Sequence, residues 1–427
     1  MIYFKVGLKT PNQIKLLKTK LELSNKLNKS LKIVKDDTNL FYIPTLYQNK
    51  DQLTQDLKEF IGLVITEYED DFLNESDPLK SFISNYLLRY PDVSNKVELL
   101  DLIPKKYTLY PPMMLINNQN TFDSPQWVKF LSNIDATNFF QNLLAFCFKD
   151  ITHIAINKPI IEQDIMRRPF NLVPIHGDFG PEPTEQSYDN PTEEDFQKAF
   201  WCSALQNGIY QTWAPRYTMF SRGNIKEKTR ILNNFKRIDQ KVVIDMYAGI
   251  GYFTLSYLKK NAANLICFEL NPWSIKGLTK GLEKNKYTYK VIKHEDEITE
   301  VDPNIKVLIF HESNEFIIDR LAKLKKVFPI THINLGLLPS SKPAWSLAVS
   351  AFERYSIESK CEIHIHENLK VQELDGFLGA ACTELETTPV RSDLSIRPIH
   401  LEKIKTFAPD VWHICADIEI SKVINSI

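Results

Sequence analysis

Glycine is scarce in this chain, at 13 of 427 residues. Two glycines falling close together, Gly249 and Gly251, therefore mark a place where the backbone needs them. No sign of charge dominates either. Lys and Arg number 52 against 53 Asp and Glu, a formal net charge of −1, so global charge announces no polyanionic partner. The stretch from Lys5 to Lys35 departs from balance, with Glu22 as its lone acid. It reads either as a phosphate-facing surface or as a solvated helix face. The cysteines (Cys147, Cys202, Cys267, Cys361, Cys382, Cys415) form no CxxC pair, which argues against a zinc site and a disulfide framework. Cys267 and Cys415 lie in apolar runs as small hydrophobes. His364 and His366, in CEIHIHENL, are taken to face opposite ways, so no metal is expected. No Ser/His/Asp or Cys/His set stands out as a nucleophile. The opening MIYFKVGLKT lacks a signal-peptide core, and no apolar run approaches the ~20 residues that span a bilayer. The expectation is a cytoplasmic protein with no membrane partner.

The length suggests two or three domains. Residues 1 to about 125 carry helical patches, QLTQDLKEFIGLVI and LKSFISNYLLRY, and end near YPPMMLINNQNTFDSPQW, which reads as a linker. Residues from about 126 to 238 read as an α+β segment, with strand-like DITHIAINKPI and helical TEEDFQKAFWCSALQNG. Residues from about 239 to 427 alternate. KVVIDMY, NLICFEL, KVLIFHES, THINLGLL, CEIHIHENL and DVWHICADIEI read as strands, with helix-like segments between them. Such nearly all-apolar strands predict a doubly wound α/β sheet covered on both faces. YKVIKHEDEITEVDPN reads as an insertion before the third strand.

Chemistry concentrates in this last region. VVIDMYAGIGY is an apolar strand ending in Asp245, then a tight loop with Gly249 and Gly251, then the helical FTLSYLKK. The next strand ends in Glu269, and Asn271-Pro272 opens another helix. Glycines let backbone approach a ligand, and a carboxylate at the second strand end can take two ribose hydroxyls. GxGxxG is absent, so the spacing is similar to an S-adenosylmethionine (AdoMet) fold rather than a dinucleotide fold. The competing reading is a strand–turn–helix of some other α/β protein. Asp245 would orient the methionine amine through water or loop amides, or else cap a helix. In TMFSRGNIKEKTR, Lys228 could hold a carboxylate-bearing cofactor tail, and Arg222 or Arg230 a phosphate. In HINLGLLPSS, Asn334 could present its amide to a planar base edge.

Several segments in order resemble one family: NGIYQTWAPRYTMFSRGNIKEKTRIL, DMYAGIGYFTLSYL, FELNPWSIKGL, HINLGLLPSS, HIHENL and IKTFAPDVWHICADI. From about residue 150 to 420 they are similar to the tRNA wybutosine-synthesising aminocarboxypropyltransferases. The related tRNA guanine-37 N1-methyltransferases carry NLP where this chain has Asn334-Leu335-Gly336, and more usually Asp where Glu269 stands. The resemblance implies a Rossmann-like class I AdoMet fold and AdoMet as donor substrate, without a metal. It also implies a partner, the anticodon loop of phenylalanine tRNA carrying a tricyclic guanosine-37 derivative, 4-demethylwyosine. Carbon C7 of that base would attack the γ-carbon of the methionine chain and release methylthioadenosine. By match to the motifs, Ser221, Lys228 and Glu269 would contact the cofactor. Ser313 and Asn314 would do so too, although the family usually has Asp-Asn there. The competing adenine contacts are Asp296 and Glu297. Glu227 matches the general base of the methyltransferases, and Asn334 would position the base. Residues 1–125 would dock the tRNA body, and the enzyme would act as a monomer. The rivals are a guanine-37 methyltransferase and a non-catalytic tRNA-binding subunit.

Overall fold

The computed structural model describes all residues except 1, 29–30, 32, 37–38, 70–76, 92, 118–119, 159–171, 390–392 and 424–427. It divides into two compact units, one of Met1–Ile103 with Lys129–Phe148, the other of Pro104–Val128 with Lys149–Ile427. This differs from three consecutive segments. The first unit holds a four-stranded antiparallel sheet whose core includes Val6, Leu17, Leu21, Ile43 and Leu53. It also holds the helices Pro78–Leu87 and Ala136–Cys147, which meet edge-on through Tyr86 and Phe139, ring centroids 4.9 Å apart.

The second unit is built on an eight-stranded sheet. Its strands are β1 (Val242–Asp245), β2 (Asn264–Phe268), β3 (Tyr289–Lys293), β4 (Val307–His311), β5 (Ile330–Leu335), β6 (Lys360–Lys370), β7 (Leu394–Ala408) and β8 (Val411–Lys422). They lie in the order β3-β4-β2-β1-β5-β6-β8-β7. Pairing is parallel from β3 through β6, and β8 pairs antiparallel with both β6 and β7. The doubly wound expectation holds, and the burial pattern shows why. Ile244, Ile266, Leu308 and Phe310 belong to one core cluster, while Val243, Leu265, Cys267, Val307 and Ile309 belong to another. Alternate residues of a strand face opposite ways, so both faces are dry. Each large side chain buried in full contributes about 1.5–3 kcal/mol. Strand order reverses between β1 and β5, and the crevice for a ligand lies at the carboxyl ends there.

Four local expectations change. YKVIKHEDEITEVDPN is not simply an insertion, because Tyr289–Lys293 adds an edge strand to β4. YPPMMLINNQNTFDSPQW is not a linker. Tyr107–Tyr110 pairs with Met113–Ile116, and buried Met113, Met114 and Ile116 anchor the hairpin in a second four-stranded sheet. The helix in TEEDFQKAFWCSALQNG is only Glu193–Lys198. Cys202–Gln206 turns through Asn207 (φ 52°) and Gly208 (φ 67°) into Ile209–Trp213, because positive φ at both positions makes a tight hairpin. QLTQDLKEFIGLVI likewise splits between the helix Lys50–Asp56 and the strand Val64–Glu69.

Candidate active site

The loop after β1 holds Gly249 at φ 55° and Gly251 at φ 83°, the left-handed region that favours glycine. A Cβ on Gly251 would lie 2.6 Å from Leu278 Cδ1, against the helix Pro272–Lys284. Glu269, just past β2, ties this loop to the next. Its Oε2 accepts the Gly249 N–H at 2.8 Å and its Oε1 the Asn271 N–H at 2.8 Å. Asn271 Oδ1 in turn caps the helix, accepting the Trp273 N–H at 2.9 Å. Burial raises the Glu269 carboxyl above its ordinary pKa, opposed by the N–H groups of Asn271, Gly249 and Leu270.

A cleft of about 370 Å³ opens at these strand ends. Of the expected residues it is lined by Ser221, Gly249, Glu269, Ser313 and Asn314. Asn314 Nδ2 donates to the Met246 carbonyl at 2.8 Å, and Ser313 Oγ accepts the Glu315 N–H at 3.3 Å. Asp296 and Glu297 are exposed and do not line it. Their carboxylates take the Lys293 N–H at 2.8 Å and the Lys323 ammonium at 3.2 Å.

The other expected residues lie behind the cleft wall. Asp245 and Asn334 are paired across adjacent strands and buried, with Asn334 Nδ2 donating to Asp245 Oδ1 at 3.0 Å. Thr254 Oγ1 donates to the other oxygen at 2.7 Å, and burial raises the Asp245 carboxyl. Asn334 therefore has one Nδ2 hydrogen committed to Asp245 and does not line the cleft. Glu227 is also not offered to the cleft. It is 1% exposed and accepts the Arg230 guanidinium through both oxygens, at 2.8 and 2.6 Å. Arg230 reaches on to Asp417 on β8, with Nη2 3.0 Å from Oδ1. The ion pair turns the carboxylate away from the cleft and into the interior. Lys228 is buried on the same helix, Ile225–Asn234. Its ammonium donates to Gln206 Oε1 at 2.9 Å and to Gln211 Oε1, and lies 4.8 Å from the Phe220 ring centre. Burial, with the charge of Lys405, pushes its pKa down to about 7.

Sequence reasoning passed over three cleft residues: Lys405, His366 and His413. Lys405, on β7, donates to Ser221 Oγ at 2.6 Å. The signal was IKTFAPDVW, which carries this lysine. The histidine reading also needs correcting. Residues two apart on a strand share a face. His364 meets His332 at 2.9 Å and Asp417 at 2.7 Å, and His366 meets His413 at 3.0 Å. Glu227, His366 and Cys415 bring potential ligand atoms within 4.8 Å of one another. The Arg230 guanidinium already occupies the Glu227 carboxylate, which disfavours a cation there.

The model of the TRM5/TYW2 methyltransferase domain matches residues 205–363. The chain is 34% identical to tRNA wybutosine-synthesizing protein 2 of Saccharomyces cerevisiae, over 92% of this chain and 96% of that protein. It is 37% identical to the protein of the same name from Schizosaccharomyces pombe, over 88% of this chain and 87% of that protein. The chain belongs to the tRNA wybutosine-synthesizing protein 2 family. Its fold is similar to that of Pyrococcus horikoshii TYW2 in complex with MeSAdo, with a TM-score of 0.52 at 18% identity over 81% of this chain and 100% of the other. In this member of the wybutosine-synthesizing family, Lys405, His366 and His413 lie beyond the matched domain segment and still face the same cleft as Glu269.

Proposed function

We propose that the chain transfers the 3-amino-3-carboxypropyl group of AdoMet to C7 of 4-demethylwyosine at position 37 of phenylalanine tRNA, releasing methylthioadenosine. Family membership supports the substrate. The observation that carries the chemistry is the cleft at the β1/β5 reversal, lined by a Glu269 carboxylate that the loop N–H groups hold in place through both oxygens. In this reading Glu269 takes the ribose hydroxyls, the Gly249 loop admits the cofactor backbone, and Ser313 and Asn314 flank the adenine. Lys405, bridged to Ser221, takes the cofactor carboxylate in place of Lys228. Lys228 then acts from behind, through Gln211, whose Nε2 donates to the Gly251 carbonyl at 2.9 Å. Asp245 and Asn334 keep the loop in shape.

An AdoMet sulfonium carries three carbons that a nucleophile can attack, and the one held in line decides the product. Anchoring both the ribose and the carboxylate fixes the chain between them, which brings its γ-carbon rather than the methyl to the base. The partner is the tRNA anticodon loop, residues 1–125 dock the tRNA body, and the enzyme acts as a cytoplasmic monomer. The test is incubation with AdoMet and phenylalanine tRNA bearing the tricyclic base, with small products identified by mass spectrometry. Methylthioadenosine supports the reading. S-adenosylhomocysteine would replace it with methyl transfer.

A further inference from the structure

We propose that His366 and His413 together form the proton acceptor of the cleft, taking the proton that the base carbon loses once the aminocarboxypropyl group is attached. The inference rests on the transfer reading above. Both rings line the cleft and are otherwise buried, at 1% and 2% exposure. They come from the paired strands β6 and β8, and Nδ1 of His366 lies 3.0 Å from Nε2 of His413. Phe253, just after the glycine loop, stacks on His366 with centroids 4.9 Å apart and planes 20° from parallel. The ring is thus fixed by the loop that shapes the cofactor site. Its Nε2 is buried with no hydrogen-bond partner, which is rare for an imidazole nitrogen unless a ligand or water completes it.

The surroundings keep the ring uncharged before the step. Around His366 stand Glu227 and Arg230 of the Ile225–Asn234 helix, His364 of its own strand, and His413, Cys415 and Asp417 of β8, while Lys405 of β7 lines the same cleft. Burial, then His413, His364 and Arg230, hold His366 well below the usual histidine pKa. It is therefore neutral at pH 7 with a lone pair to give. The buried carboxylates nearby are engaged. Glu312 binds Arg320 at 2.6 and 2.8 Å, Glu227 binds Arg230, and Glu269 binds the loop amides.

The step balances. The ring π electrons at C7 form the bond to the γ-carbon, and the sulfur–carbon bond breaks with its electron pair going to sulfur, giving neutral methylthioadenosine. The ring is left cationic with a proton still on C7. That proton passes to the imidazole pair, aromaticity returns, and the imidazolium later yields its proton to water.

His413→Asn and His366→Asn in the full chain test this, with AdoMet and tRNA deuterated at C7. In the wild type, proton loss follows carbon attack and deuterium has little effect on the rate at which the finished, C7-deprotonated base accumulates. In the variants proton loss becomes limiting. The rate falls about 100-fold, a deuterium effect emerges, and AdoMet affinity by dialysis stays at the wild-type value. A merely structural role would slow formation of the modified base without creating the isotope effect. If His366→Asn does not fold, His413→Asn decides alone. Wild-type rates with no isotope effect in the folded variants overturn the inference. No methylthioadenosine from the wild type would instead overturn the transfer reading, before any variant is compared.

Discussion

Replacing Glu269 by Ala tests the cofactor site at its most constrained residue. The carboxylate accepts a loop amide through each oxygen, at 2.8 Å in both cases, and lines the cleft. Hydrogen bonds to a charged group contribute about 1.5–3 kcal/mol each. Two ribose hydroxyls set an upper range near 3–6 kcal/mol, and the desolvation that raises the Glu269 pKa reduces it. A loss of about 3 kcal/mol is expected, roughly 100-fold in Kd. Titration calorimetry with AdoMet and with methylthioadenosine should show the same loss, since both carry the ribose. Stability should fall by only about 1 kcal/mol, because the two freed amides sit at a cleft that admits water. There is a pH arm as well. The carboxyl must be ionised to accept both hydroxyls, so wild-type affinity should fall as pH descends through a value above the ordinary glutamate range. A Glu269→Ala protein that binds AdoMet within about twofold of wild type would refute the ribose assignment.

Other outcomes follow from the same geometry. Lys405→Met should weaken AdoMet binding about tenfold or more through the lost charged hydrogen bond, while Lys228→Met should change it far less; equal effects would return the carboxylate to Lys228. Gly251→Ala should cost well over 1 kcal/mol in urea unfolding, since alanine is strained at φ 83° and its Cβ meets Leu278 at 2.6 Å; a neutral result would mean that the loop has another shape. Arg230→Met leaves Glu227 and Asp417 buried without their cation and should cost about 3–5 kcal/mol. His364 and Arg230 hold the Asp417 carboxyl well below its ordinary pKa. Its stabilising contribution is therefore complete above about pH 4 and is lost as pH falls toward the depressed folded value. The Arg230 variant should unfold at higher pH than wild type in acid titration, and an unchanged acid limb would contradict the pairing.

The parts legible in the sequence are those with a local signal. All-apolar strands showed the doubly wound sheet, and the Gly249 loop with Glu269 pointed to the strand ends where the cleft opens. What escaped depends on distant partners. Glu227 and Lys228 read as charges offered to a substrate, yet Arg230 finds Asp417 187 positions away and draws Glu227 into the interior. Asn334 looked wholly available at a strand end, and register with Asp245 on β1 takes one hydrogen of its amide. Lys405 was invisible as a site residue because β7 is a mostly exposed edge strand with three register shifts, so it has neither an apolar run nor a clean alternation. The His366–His413 contact needs the antiparallel return of β8, which no spacing within CEIHIHENL announces.

The most direct measurement follows an isotope from donor to tRNA. AdoMet labelled in the carboxyl carbon is incubated with the protein and phenylalanine tRNA bearing 4-demethylwyosine, and the digested nucleosides are weighed. Transfer of the aminocarboxypropyl group puts the label in the modified base at position 37. Label remaining wholly in the small-molecule fraction, with a methyl group gained by the tRNA, would contradict it.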